Sequence, residues 1–544
     1  QNVVGIGTYN FYGGTLNNSL IVGDAGTGLF ANSGGTHNVT GDMILGNQAT
    51  GLGTYNLSGT GSVAVSGNTI VGMDGTGYFN QSGGTHTTGS LVLGQNTGSF
   101  GMYNFTGGVL NDSIIVGDAG TGVFNNSGGT HNVTGDMILG NQATGVGTYN
   151  LSGTGSVVVS GSTIVGAFGT GVFNQSGGGN AITDNLVLGD QATGSGAYNL
   201  SAGALSANDL HIGENGSGVF TQSGGSNAIA SELFIGRNTG SSGSYDLSGG
   251  TLSVGWAERV GVLGTATFNQ TGGTNQTSEL RIGGSGTYNY SGGALTATGG
   301  ITNDGAFNQS GATTVNANVV NNNAYNISGP GTNTVAGDFF NSATGTVKTT
   351  ATTAVFTGTF TNLGAYVSDP SNNYFNNLII QTTGYLHGGT GDNFFIADNF
   401  YNNSAQNTSW NTAMSLLSFT NGMDTSHDYY LTGVDFGASV AGFTNNYAWG
   451  TLQLDAGNNL NIYGTALYLD MVVLGSGTAL NLNGVHVYYN TLVNNGGSWA
   501  LLNGGTFTQI ASAQVPEPTT LLLLAIGFGG LLAARKRLFN GQRP

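Results

Sequence analysis

Three kinds of side chain in this sequence could do chemistry, and their spacing decides how far each can go. The first is histidine in a GGTH turn, at His37, His86 and His131. Later copies of the same position hold Asn180, Asn227 and Asn275 instead. Imidazoles can ligate a metal. If the copies are successive coils of one rod, however, these histidines stand two coils apart, about 9.6 Å. A zinc ion with Zn–N bonds of about 2.0–2.1 Å cannot bridge that gap. The expectation is a solvated turn residue. The second kind is aspartate in VGDAGTG, at Asp24 and Asp118. One carboxylate per coil is a poor match to the about six to eight oxygens that Ca²⁺ takes, and the calcium repeat GGxGxD is absent. No metal and no cofactor is expected.

The third kind is a cluster of charge between residues 209 and 281. Aligning LHIG, LFIG and LRIG puts Asp209, Glu232 and Glu279 in one column. His211, Phe234 and Arg281 fall in another, with Glu258 and Arg259 on the coil between. Carboxylates on adjacent coils could stand about 5 Å apart, the separation used by retaining glycosidases. A polysaccharide lyase or glycoside hydrolase is therefore the alternative function. The preferred expectation is an outer salt-bridge ladder that relieves like-charge repulsion. On it the chain is not an enzyme and has no catalytic residue. A Thr-rich run at 349–361 hints at ice binding, but a flat array needs Thr-x-Thr on every coil, and the repeats lack it.

The elements that must position these groups follow from a repeat. Residues 21–63 and 115–157 differ only at Leu29/Val123, Ala31/Asn125 and Leu52/Val146, a period of 94. Inside it, an aromatic residue recurs at Tyr9, Phe30, Tyr55, Phe79, Tyr103, Phe124, Tyr149, Phe173, Tyr198, Phe220, Tyr245, Phe268, Tyr288, Phe307 and Tyr325. The mean step is 22.6 residues, and Tyr alternates with Phe throughout. Each step carries two short apolar pieces of period two, such as TYNLSG at 54–59 and MILG at 43–46. They end in Gly, Asn or Ser and are too short for helices. Pro is absent from residues 1–329, as it must be where strands are bonded on both sides. The pattern predicts an all-β, elongated parallel β-helix of about 22–24 residues per coil. Residues 1–328 are its regular part, fifteen coils and about 70 Å long. Residues 329–514 read as a less regular continuation with insertions or a cap. Only 411–418 (NTAMSLLS) has a helical look.

Composition closes several doors. The 544 residues include 101 Gly, 5 Pro and no Cys, and the net charge is −17. Collagen would need far more Pro and Gly at every third position. Disulfides and thiolate sites are excluded. Residues 1–236 contain neither Lys nor Arg, so no basic face can neutralise nucleic-acid phosphates. The alignment also predicts an outward apolar stripe of about 38 Å at Ile21, Ile44, Ile70, Val92, Ile115, Ile138, Ile164 and Val187. Either the chain's own loops cover it or it is a lateral contact for self-association.

The C-terminus follows a different logic. Residues 515–537 read VPEPTTLLLLAIGFGGLLAARKR. Sixteen uncharged, mostly apolar residues precede Arg535, Lys536 and Arg537. A membrane span wants about 20 such residues, and the basic end would stay cytoplasmic. A plain C-terminal anchor is one reading. The three-part order also resembles the PEP-CTERM sorting signal of Gram-negative bacteria, with Pro516, Glu517 and Pro518 as its motif and Arg535, Lys536 and Arg537 as its basic end. The body is similar to the Gly-rich repeats of such proteins, as at LVLG 91–94 and GTGVFNNSGGT 120–130. The resemblance implies a sorting signal at 515–537 with a short hydrophobic helix, then a tail at 538–544. It implies an exported protein of the cell envelope, outer surface or extracellular matrix. An exosortase-type enzyme would process the tail, which engages the membrane until then. The expected function is structural or adhesive, beside exopolysaccharide or in a biofilm. Gln1-Asn2 aligns with Gln95-Asn96, so the chain is expected to start inside a coil, as a fragment or a processed form.

Overall fold

The computed structural model describes residues 5–420 and 425–510. They form a parallel β-solenoid of about 23 turns. Strands from Ile6–Phe11 to Thr506–Gln509 pair in parallel, each with the strand one coil before and one coil after. The only helix among the described residues is the 3₁₀ turn Val440–Phe443. The expected C-terminal helix lies outside the described residues.

Each regular coil has an aromatic strand, a second strand and a third strand, as in Leu52–Leu57, Ser62–Val65 and Thr69–Val71. The alternation is strict: Gly53, Tyr55 and Leu57 point inward, and Thr54 and Asn56 outward. Glycine marks the corners because neighbouring coils approach there. A Cβ on Gly53 would lie 2.0 Å from the Val22 carbonyl oxygen. Gly46 adopts φ 71°, the left-handed region that favours glycine.

The predicted aromatic series stacks as one column, which lines the interior from Phe30 onward. Fifteen rings from Tyr9 to Tyr325 stack with centroids 4.5–5.3 Å apart. On the outside an asparagine row runs alongside. Asn80, Asn104, Asn125, Asn150, Asn174 and Asn199 each donate an amide N–H to the asparagine one coil below, at 2.8–2.9 Å. Both ladders are the cross-β device of stacking identical groups at the strand spacing.

Past Tyr325 the ring column gives way to edge-to-face packing, first at Phe339, 5.0 Å away and 87° tilted. A buried amide ladder continues the order, with Asn303, Asn321 and Asn341 each bonded to the next asparagine up to Asn362. The helical look of 411–418 is corrected: Thr412–Phe419 is a strand. It is held between Asn393–Ile396 and Trp449–Leu454 in parallel register. Eight residues offer a helix few internal bonds, whereas a neighbouring coil on each side pairs the backbone of Leu416–Phe419. The coil enlarges here through segments 403–411 and 431–448.

Candidate functional site

The GGTH histidines are not solvated turn residues. His37, His86 and His131 are 0% exposed. Each ring stacks on the phenylalanine of its own coil, at 4.6–4.9 Å. Each Nδ1 bonds the hydroxyl of the next tyrosine, 3.0 Å for Tyr55, 3.1 Å for Tyr103 and 3.0 Å for Tyr149. The replacements keep the bond: Asn180, Asn227 and Asn275 donate to Tyr198, Tyr245 and Tyr288 at 3.0–3.1 Å. The histidines do stand two coils apart, with Val63 and Leu110 between them.

A second partner explains why Tyr and Phe alternate. Two residues after each phenylalanine comes an inward amide, Asn32, Gln81, Asn126, Gln175, Gln222, Gln270 or Gln309. Two residues after each tyrosine comes an apolar residue or Tyr290. Tyr103 and Tyr198 donate to Gln81 and Gln175 at 2.5 Å. Tyr288 and Tyr325 donate to Gln270 and Gln309 at 2.8 and 2.9 Å. Every tyrosine hydroxyl of the ring column from Tyr55 to Tyr325 is thus met by the phenylalanine coil before it, and the phenylalanine coil has no hydroxyl to satisfy.

The amide also sets the histidine tautomer. Asn32 and Asn126 donate to Tyr55 and Tyr149, so those hydroxyls donate to His37 and His131 Nδ1. Their Nε2–H groups then donate to Asn18 and Asp112, 2.8 Å away. Tyr103 instead donates to Gln81, so His86 donates through Nδ1 and accepts at Nε2 from Thr69, 3.0 Å away. Burial pushes His37 down to about 4. Burial, with His131 adding repulsion, pushes His86 down to about 3. His37 and His86 are therefore neutral packing groups at pH 7.

The aspartates of VGDAGTG are answered by amides. Asp24 accepts from Asn47 and Gln48 at 2.6 and 3.1 Å, and Asp118 accepts from Asn141 and Gln142 at 2.7 and 3.1 Å. Among the described residues no three His, Asp or Glu side chains gather at one point.

The charges at 209–281 occupy the predicted columns. Glu232 and Glu279 flank Ala257 in register, and the Glu232 N–H donates to Asp209 at 2.9 Å. His211, Phe234, Arg259 and Arg281 run in one outward line. Arg259 pairs with Glu232 and Arg281 with Glu279, both at 2.6 Å. Arg237 lies 3.0 Å from Glu214, which also bonds His211 at 2.9 Å. Glu258 alone points inward, 0% exposed beside the Asn275 amide. Burial raises its carboxyl to about 8, so it is the neutral acid at pH 7. Four clefts open among the described residues without Asp209, Glu232, Glu258 or Glu279 in their lining.

The C-terminal signal carries the clearest functional information. Residues 514–537 match the family described as the PEP-CTERM protein-sorting motif. The chain carries a PEP-CTERM sorting signal. It is an exported protein of the cell envelope, handled by an exosortase. The match contains Pro516, Glu517, Pro518, Arg535, Lys536 and Arg537, all outside the described residues. A search of curated proteins finds no match.

On this PEP-CTERM protein the predicted apolar stripe lies in one outward register column from Ile21 to Val187. Its exposure is smaller than expected. Ile70, Val92 and Val187 are buried and four others half-buried, while Ile21 is 52% exposed. The column continues through His211 to Phe340 and on to Tyr401, Tyr430 and Tyr463. Those three tyrosines stack outside at 5.1 and 4.6 Å.

Proposed function

We propose that this chain is a non-enzymatic structural or adhesive rod, displayed at the outer surface of a Gram-negative cell or in its matrix, among exopolysaccharide. The observation that carries the proposal is that the polar side chains with a chemical role available to them are already committed to neighbouring coils. The histidines, the inward amides and the surface carboxylates hold the stack together. The outward Asn row keeps one amide hydrogen per residue free for weak bonds to a hydroxyl-rich polymer. Repetition then supplies avidity without a single tight site.

The test is fractionation of the producing cells with and without their exosortase, followed by co-sedimentation with the purified matrix polysaccharide. The proposal expects the chain in the matrix fraction of normal cells and in the membrane fraction without the exosortase. Equal distribution in both strains, with no co-sedimentation, refutes it. The alternative is a lyase or hydrolase built on Asp209 and Glu232. Cleavage of a polysaccharide panel that disappears in Asp209→Ala/Glu232→Ala would establish that reading instead.

A further inference from the structure

Among the described residues one region departs from the economy of the rod. Segments 403–411 and 431–448 enlarge the coil and, with Tyr385–His387, enclose a cleft of about 530 Å³. That volume lies in the range of small-molecule sites, about 300–1,000 Å³. Trp410 and Tyr447 form its apolar base, edge to face at 5.2 Å and almost fully buried. Both are anchored. Trp410 Nε1 donates to Thr412 at 2.8 Å, and the Tyr447 hydroxyl donates to the Ser404 carbonyl at 2.7 Å. Tyr385 stands half-buried at the cleft wall.

The polar lining is what sets the cleft apart. Along the regular coils, outward asparagines such as Asn80, Asn104 and Asn125 bond the coil below. Here the Asn411 and Asn445 amides and the Thr408, Ser409 and Thr444 hydroxyls line the cleft and have no side-chain partner among the described residues. No Asp, Glu, Lys or Arg lines it. The backbone is also held out of its ordinary range. Asn445 and Tyr447 have φ 50° and 57°, and they are two of five non-glycine residues with positive φ among the described residues. For a residue as bulky as tyrosine this is an outlier, and such outliers gather at ligand sites.

We infer that this cleft binds a neutral oligosaccharide. Free amides and hydroxyls over an aromatic base match a ligand that is rich in hydroxyls and bears C–H faces. A lining without Lys or Arg favours an uncharged sugar over a uronic acid or a phosphate. The inference rests on the polysaccharide-matrix role proposed above and gives that role one specific site.

The experiment uses the purified full chain and an array of neutral glucan, mannan and galactan oligosaccharides beside anionic alginate and hyaluronan fragments. Saturable binding to a neutral member is expected. Asn411→Ala should weaken it about tenfold, one hydrogen bond's worth, and Ser409→Trp should abolish it by filling the cleft. Both positions are exposed, and an unchanged melting curve confirms folding. No saturable binding, binding to anionic members alone, or binding unaltered in both variants overturns the site. Co-sedimentation with the matrix, measured on the same variants, separates the two ideas. If Ser409→Trp still co-sediments while no oligosaccharide binds, the cleft fails and the matrix role stands.

Discussion

Replacing Gln175 by Leu, the residue type that tyrosine coils carry at the equivalent position, tests the account of Tyr/Phe alternation. Gln175 accepts from the Tyr198 hydroxyl at 2.5 Å and donates to the Ala204 carbonyl at 2.9 Å. Gln175 and Tyr198 are 0% exposed, so water cannot replace what is lost. Gln175→Leu strands two polar groups at about 1–3 kcal/mol each, offset in part by added apolar burial. The expected loss is about 3 kcal/mol. Tyr198→Phe strands the Gln175 oxygen and leaves Asn180 without the acceptor it reaches at 3.1 Å, a loss of about 2 kcal/mol. In the double variant the hydroxyl and its acceptor disappear together. Its loss should fall short of the sum by about 1–2 kcal/mol. A solenoid opens coil by coil, so the measurement must be local. Native-state hydrogen exchange of Ser195–Ala207 reports it, and about 3 kcal/mol is roughly a 100-fold acceleration. Additive losses within about 0.5 kcal/mol, or no acceleration in Gln175→Leu, would refute the pairing.

Other expectations are more compact. Glu258 has a folded value raised from 4.5 to about 8. Its contribution is therefore complete below pH 4.5 and is lost as pH rises toward 8, on the order of 4 kcal/mol. Glu258→Gln should remove that alkaline loss in exchange of Thr251–Val260, and an unaltered pH profile counts against it. His86 has the opposite sign. It is lowered from 6.5 to about 3, so stability is full above pH 6.5 and falls as pH drops toward 3; His86→Asn should blunt the acid-induced opening of its coil, read by the same exchange. Ile21→Lys with Ile115→Lys should lower the sedimentation coefficient of any self-associated rod, and an unchanged value excludes this column as the contact. Pro516→Ala/Pro518→Ala, or Ala at Arg535, Lys536 and Arg537, should leave the unprocessed chain in the membrane fraction, where wild-type processing of the variant would deny these residues their sorting role.

The repeat, the parallel winding and the ring column were legible in the linear order of residues. A side chain recurring every twenty-odd residues between short period-two pieces has few other places to go. The charge columns at 209–281 were legible for the same reason, because register carries alignment into space. Histidine burial was misjudged, although a signal was present. His37, His86 and His131 align with Val63, Leu110 and Val157, and share the inward parity of Val39 and Val133. A polar residue beside a Gly-Gly turn reads as exposed only if its partners go unnoticed. Those partners, Tyr55 for His37 and Asn275 for Glu258, lie 18 and 17 residues away, and stacking alone brings them within bonding distance.

The sequence by itself determined the period, the all-β character and the sorting signal, since each is written in local residue types and their spacing. Tertiary structure alone decided which polar groups are committed and which are free. Hydrogen bonding is settled between coils, so the strand fate of Thr412–Phe419 and the free amides of Asn411 and Asn445 emerge only when distant segments are laid against one another.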